Sequence, residues 1–260
     1  MHCWPSASNS SSIAPSSYEP DVKVLVVMPA RNEAASIAPV IADLFERGYE
    51  VVVVDDASTD ETGERARGVG AVVLPMPVSF GIGGALRCGF RYAVEHRYDT
   101  VVQVDADGQH RPEDIAALLD AQQATGAHMV VGSRFAPGAG TYAVNGSRRI
   151  AMRLLSRLAS RAAGTTLTDA TSGLRAIGEP LLGEFARSYT VHYMDSFEAL
   201  IVAGRGRYTI AEVPVTMLER SSGTSSASPL AALAFLGRGF LVATARLGFP
   251  IRPASETVRR

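Results

Sequence analysis

Residues 101–110 read VVQVDADGQH: an apolar run, two aspartates one residue apart, then glycine, glutamine and histidine. A strand that is apolar along its length is buried on both faces, as in a sheet covered by helices. Such a strand that ends on Asp105 and Asp107 marks one edge of the sheet as the place where chemistry is done. Once the chain leaves the sheet and turns, carboxylates at i and i+2 can face a single ligand. Together with Gln109 they offer hard oxygen donors of the kind that suit Mg²⁺ or Mn²⁺, cations held by a few carboxylates plus the phosphates of a substrate. The alternative is an Asx turn that caps the next helix.

The pattern repeats outward from this stretch. VKVLVVMPA, EVVVVDD, AVVLPM, DTVVQVDAD and AHMVVGSR read as strands, and SIAPVIADLFERG, DETGERARGV, GIGGALRCGFRYAVEHR and PEDIAALLDAQQAT read as the helices between them. Short β-branched runs alternating with helices of about ten residues or more predict an α/β domain with a largely parallel sheet and helices on both faces. Ligands of such sheets collect at the carboxyl ends of the strands. Three loops at those ends are polar: PARNE (29–33), DDASTDE (55–61) and DADGQH (105–110). The carboxylates of DDAST suit hydrogen bonds from a base or ribose, while Asp60 or Ser58 suits a helix cap. In GIGGALRCG (81–89) the glycines, Gly84 among them, permit close approach of the backbone, and the helix start that follows favours a phosphate.

After residue 134 the alternation stops. A glycine-rich loop, FAPGAGTYAVNGS, leads into a helical IAMRLLSRLASRAAG, then DATSGLRAI, an acidic YMDSFEALIVAG, a strand YTIAEVPV and a polar LERSSGTSSAS. This half reads as an acceptor region elaborated on the first half. Glycines 138, 140 and 146 predict a mobile acceptor loop over residues 133–147.

Composition bounds the function. With 25 Lys+Arg against 26 Asp+Glu the net charge is −1, which gives no basic excess for nucleic acid. Cys3 and Cys88 are too few for a disulfide framework or a zinc site and point to a reducing, cytoplasmic compartment. Residues 1–20 are serine-rich with three prolines and read as a disordered tail. The apolar segment 229–250 is interrupted by Arg238 and Arg246, and it predicts an interfacial helix lying on a membrane rather than a span.

Taken together, VLVVMPARNE, VVVVDDASTDET, FGIGGALRCGF, VVQVDADGQHRPEDI, VVGSRF, DATSGLRAI and AEVPVTMLERSSGTSS resemble glycosyltransferase family 2. Within the family the resemblance is to the dolichol-phosphate mannosyltransferase-like branch, which makes polyprenyl-phosphate sugars, and it runs from about residue 22 to about residue 228. It implies a GT-A (Rossmann-like) domain over residues 21–228, followed by an amphipathic helix and tail over 229–260. Pro29, Arg31, Glu33, Asp55, Asp56, Asp105 and Ala106 would line the donor nucleotide. Asp105, Asp107 and Gln109 would hold a divalent cation on its diphosphate.

The acceptor that the resemblance implies sets which side chains to expect. A sugar hydroxyl needs a general base, whereas a phosphate monoester is already anionic at neutral pH. A lipid-phosphate acceptor therefore predicts arginines, whose guanidinium forks match phosphate. The resemblance puts Arg134, Arg148 and Arg220 at the acceptor phosphate, with Arg175 structural, and Asp169, Ser172, Asp195 and Glu198 near the acceptor or the donor sugar. For the last two, the alternative is an exposed helix start that favours acids. His110 and His192 are further candidates for contact with diphosphate or acceptor.

One departure bears on the donor. Mannosyltransferases of this branch usually carry a lysine after G-x-S, where this chain has Gly223-Thr224-Ser225-Ser226. That pattern looks like bacterial relatives without spans of their own, which work beside a small membrane protein at the inner face of the membrane. GDP- and UDP-linked hexose or N-acetylhexosamine all stay open as donors. Two other functions stay open as well: transfer to a hydroxyl of a saccharide or natural product with Asp169 or Asp195 as base, and nucleotide-sugar binding without turnover.

Overall fold

A computed structural model describes residues 22–140, 146–189 and 195–218, with backbone only at 147, 148 and 195. The expected alternation is present. Strand β1 (Val24–Ala30) leads to α1 (Ile37–Glu46), β2 (Glu50–Asp55) to α2 (Thr62–Gly68), and β3 (Val72–Pro75) to α3 (Gly81–Glu95). Then come β4 (Thr100–Gln103), α4 (Pro112–Thr125), β5 (Met129–Ser133), α5 (Gly146–Ala163), β6 (Arg175–Gly178), α6 (Leu181–Ser188), α7 (Asp195–Arg205) and β7 (Ile210–Pro214).

The strands form one seven-stranded sheet in the order β3-β2-β1-β4-β6-β5-β7. β1 pairs in parallel with β2 and β4, β2 with β3, and β5 with β7. β6 runs antiparallel to both of its neighbours, β4 and β5. The sheet is therefore largely parallel, as expected, with one reversal at β6. Four residues carry no mark of strand direction, and direction is set by the connection before them, which here returns from α5 on the same edge.

Side-chain alternation along the strands divides the core in two. Val26, Met28, Val53, Val102 and Val130 face one layer with Ile41, Leu44, Ile115 and Leu118 of α1 and α4. Leu25, Val27, Val101, Val131 and Ile177 face the other layer, with Leu86 and Phe90 of α3, Phe185 of α6 and Phe197 and Leu200 of α7. Helix α3 lies close on β1 because Gly89 carries no side chain, and a Cβ there would run into Val27. Helix α6 has no counterpart in the sequence reading. Its eight residues are short for a periodicity argument, and it is held by packing: Phe185 and Tyr189 surround Phe90, with Phe90 and Tyr189 edge to face at 5.0 Å.

β4 ends at Gln103 rather than running through Asp107. Val104 still donates to the Val27 carbonyl at 3.1 Å, after which the chain turns off the sheet, with Gly108 at φ 74°. This puts Asp105 and Asp107 in a loop at the carboxyl ends of β1, β2 and β4.

Candidate active site

The loops after β1 and β2 are bonded to each other. Asn32 N–H donates to Ser58 Oγ at 3.1 Å, Glu33 N–H to Thr62 Oγ1 at 2.8 Å, and Thr59 N–H to Asn32 Oδ1 at 2.8 Å. Asn32 and Ala57 both adopt φ 56°, the tight backbone that lets the two loops interlock. Asp60 accepts the Thr62 N–H and the Ala34 N–H and so ties the two loops together, while the N-cap position of α2 is Glu61.

Pro29 is buried in β1, and Arg31 is exposed beside it. Arg31 Nη1 donates to Ser79 Oγ at 2.8 Å, and Ser79 Oγ donates to Asp56 Oδ2 at 2.7 Å. Glu33 accepts the Ser36 hydroxyl, which orders the entry into α1. Asp55 accepts the Ser58 N–H, and a Cβ at Gly63 in the first turn of α2 would lie 2.6 Å from Asp55 Oδ2 and displace it.

Two expectations about the donor loops need correction. The start of α3 is not an open phosphate site: buried Asp56 accepts Phe80 N–H at 2.8 Å and Gly81 N–H at 2.9 Å, so a carboxylate of the protein already occupies it. The missing side chain of Gly84 makes room for Phe80, whose Cβ a Cβ at 84 would strike. Asp56 and Gly84 thus shape the donor loop from within.

At the DxD loop, His110 Nε2 lies 3.1 Å from Asp105 Oδ2. His110 is 6% exposed and bridges to Met217, so it is a buried partner of Asp105 rather than a surface histidine. Burial pushes the Asp105 carboxyl up, but the hydrogen bond to His110 and the charges of His110, Arg134 and Arg175 outweigh it and hold the carboxyl below its ordinary value. Asp107 accepts the Gln109 N–H at 3.0 Å, and Ala106 is buried between the two aspartates. Gln109 is tied to the segment after β7: its Nε2 donates to the Leu218 carbonyl at 3.3 Å, and Leu218 N–H donates to the Gln109 carbonyl at 2.9 Å.

These residues fit a divalent cation shared with a substrate. Asp105 Oδ1 is buried without a protein partner, and with Gln109 Nε2 engaged the amide oxygen is the atom left to face a cation. Among the described residues no three His, Cys, Asp or Glu side chains gather to hold a metal by themselves. Two carboxylates and an amide leave positions for phosphate oxygens, which is how Mg²⁺ and Mn²⁺ sites with nucleotides are built.

On the other side of the site stands a buried ion pair. Arg134 Nε donates to Asp169 Oδ2 at 2.6 Å and its Nη2 to Asp169 Oδ1 at 2.8 Å, with side chains 7% and 0% exposed. Arg134 Nη2 also donates to Thr171 Oγ1, and Asp169 accepts the N–H groups of Arg134 and Thr171. Burial raises the Asp169 carboxyl, but Arg134 outweighs it and holds it below its ordinary value. Arg134 thus carries a guanidinium already joined to a carboxylate, and Asp169 is committed to the same bond.

The DATSG loop is anchored from a third direction. Glu212 of β7 accepts Thr168 N–H, Thr168 Oγ1–H and Asp169 N–H at 2.8–2.9 Å. The sequence reading missed Glu212, although an acid inside the strand-like run YTIAEVPV was the signal. The loop then crosses to the DxD: Ser172, buried, accepts the Arg175 Nε–H through its carbonyl, and a Cβ at Gly173 would collide with Asp105 Oδ2. Gly173→Ala should displace Asp105 and weaken nucleoside-diphosphate binding by about fivefold, one mispositioned polar contact being about 1 kcal/mol. Calorimetric titration checks this, and unchanged affinity would remove Gly173 from the donor site.

Glu198 on α7 is 2% exposed, so it is not the exposed helix-start acid of the alternative reading. Arg148 enters as backbone of α5 and Asp195 as backbone of α7, while Arg220, His192 and the segment 229–260 lie outside the described residues. Of the glycine loop, residues 133–140 and 146–147 are described. Gly138 and Gly140 lie against Pro214 and Thr216, where a Cβ at 140 would come within 2.7 Å of the threonine.

The model of glycosyl transferase family 2 matches residues 25–184, which takes in the donor loops, the DxD and the DATSG loop. The chain belongs to glycosyl transferase family 2. An undecaprenyl-phosphate mannosyltransferase of Micrococcus luteus is 34% identical over 220 residues, covering 80% of this chain and 88% of that protein. A polyprenol monophosphomannose synthase of Mycolicibacterium smegmatis is 31% identical, covering 82% and 84%.

Among solved structures, glucosyl-3-phosphoglycerate synthase of Mycobacterium tuberculosis superposes with a TM-score of 0.64 at 26% identity, covering 88% of this chain and 81% of that one. The same enzyme in complex with Mn²⁺, UDP-glucose and phosphoglyceric acid gives 0.65 at 25% identity, covering 88% and 81%. This family 2 glycosyltransferase therefore has the GT-A fold, and the resemblance read from its motifs holds.

Proposed function

We propose that this enzyme moves a hexosyl or N-acetylhexosaminyl group from a GDP- or UDP-linked sugar to polyprenyl phosphate, with inversion at the anomeric carbon. The observation that carries this reading is the commitment of Asp169 to Arg134. A carboxylate held ionised in a buried bidentate pair is a poor base, and an acceptor that is already an anion needs none. The named activities of the bacterial relatives support the same acceptor class.

In this reading a phosphate oxygen of the acceptor attacks the anomeric carbon from the face opposite the nucleoside diphosphate. The new carbon–oxygen bond forms as the bond to the β-phosphate oxygen breaks, and the diphosphate leaves as an anion. A divalent cation, Mg²⁺ or Mn²⁺, on Asp105, Asp107 and Gln109 would offset the charge that collects on the leaving diphosphate. Pro29, Arg31, Glu33 and Asp55 line the nucleoside, with Asp56 ordering the loop behind them. Arg148 and Arg220 bind the acceptor phosphate, while Arg134 and Asp169 fix the DATSG loop beside it. Glu198 and Asp195 contact sugar hydroxyls.

Among the described residues no helix is long and apolar enough to cross a membrane. The lipid of the acceptor would bring residues 21–228 to a membrane surface from the cytoplasmic side, with 229–260 as the interfacial helix and a small membrane protein as partner.

The test is release of nucleoside diphosphate from a panel of GDP- and UDP-sugars with Mn²⁺, with and without a short polyprenyl phosphate. Release should require the lipid phosphate and fall about a hundredfold in Arg148→Ala, as loss of a charge-assisted contact to a phosphate predicts. Turnover that ignores the lipid and survives Arg148→Ala would move the acceptor to a hydroxyl compound.

A further inference from the structure

Beneath the DxD lies a group of polar side chains that no step above uses. Arg175 is 0% exposed, and its Nη1 and Nη2 have no protein partner; its one bond runs from Nε to the Ser172 carbonyl at 3.0 Å. Gln103, also 0% exposed, is its directly opposed residue across the antiparallel β4–β6 pair, so the two side chains share one face of the sheet. Neither Gln103 Oε1 nor Nε2 has a protein partner. Two residues on from Gln103 stands Asp105, with Oδ1 buried and likewise without one.

The next turn of the same loop, Gly173, touches Asp105 itself. A buried guanidinium is costly unless a negative charge compensates it. Asp105 is the carboxylate against which the Ser172–Gly173 turn that holds Arg175 lies.

We propose that Arg175 is a positioning residue of the donor site: a fixed internal positive charge, held by the Ser172 carbonyl beside the turn that lies against Asp105, that balances the loop between a divalent cation and a nucleoside diphosphate. This rests on the donor reading given above. One carboxylate pair facing a cation attracts it even when no donor is present, and a diphosphate approaching the same pair is repelled. A positive charge built into the sheet works against both: it weakens capture of the bare cation and eases entry of the anionic donor. A residue that served packing alone would have neither effect.

The two ligands give the experiment opposite signs. Mn²⁺ alone, and UDP and GDP alone in the presence of a chelator, are titrated calorimetrically into the full chain and its Arg175→Gln and Arg175→Lys variants. Arg175→Gln should bind Mn²⁺ about tenfold more tightly and the nucleoside diphosphate about tenfold more weakly, the effect of one charge at short range in a partly buried site. Arg175→Lys should stay near the wild type for both.

Weakening of both ligands together in Arg175→Gln, or no change in either, overturns the proposal while leaving the donor reading intact. A wild-type chain that binds neither Mn²⁺ nor a nucleoside diphosphate overturns both.

Discussion

Replacing Asp169 by alanine should cost the folded state about 3–5 kcal/mol, because it leaves the Arg134 guanidinium buried without its counter-charge. Against the total stability of about 5–15 kcal/mol usual for a domain, that is a large fraction. Urea denaturation followed by circular dichroism measures it. The double variant Arg134→Met/Asp169→Leu should recover most of the loss, since removing both charges removes the uncompensated one. If Asp169→Ala alone were nearly neutral, the pair would be an ornament of the site rather than its frame.

The same pair sets a dependence on pH. The Asp169 carboxyl sits below its ordinary value in the folded chain, so its contribution is fully present above about pH 5 and is lost as pH falls through the lowered value. In Asp169→Leu/Arg134→Met that acid-side loss should be absent, and the difference between the two denaturation series isolates it.

Asp107→Ala should reduce turnover about a thousandfold, the scale seen when an electrostatic contact to developing charge is deleted. The fold should hardly notice: the bond from Gln109 N–H is local to its own turn, and losing it should cost about 1 kcal/mol or less. Asp107→Asn keeps an acceptor for that N–H and removes the charge, so it should lose as much activity with no loss of stability. An Asn variant with near wild-type turnover would show that the turn, and not the carboxylate, is what the reaction needs.

The donor half was legible in the sequence because its signals are local. Valine runs, helix periodicity and polar strand ends placed β1 to β4 and α1 to α4 in order, and DADGQH lay where the chain leaves the sheet. What eluded reading depended on residues far apart in the chain. Asp56 looked like a ligand for a nucleoside, but its partners Ser79, Phe80 and Gly81 come more than twenty positions later. Arg134 and Asp169 each looked like groups for a substrate because nothing near either one in sequence reveals the other. His110 was visible as a histidine, but its burial required the strand-like bridge to Met217. The direction of β6 and the existence of α6 were hidden for the same reason, since both are fixed by tertiary packing.

The reversed strand β6 has a consequence for how such an enzyme can be altered. Because β6 runs against β4 and β5, its leading loop arrives at the same edge where those two strands end. That single loop meets Asp105 through Gly173 and Arg134 through Asp169. The sheet is thus stitched across its middle by a segment that comes after both β4 and β5 in the chain. A chimera that joins the first 128 residues of one family member to the remainder of another would inherit β4 from one parent and β6 from the other. It would have to rebuild the Gln103–Arg175 register and the Gly173 contact at the junction. Acceptor preference is then not a cassette that recombination can exchange, and it should change instead by substitutions that leave the DATSG loop and its two anchors in place.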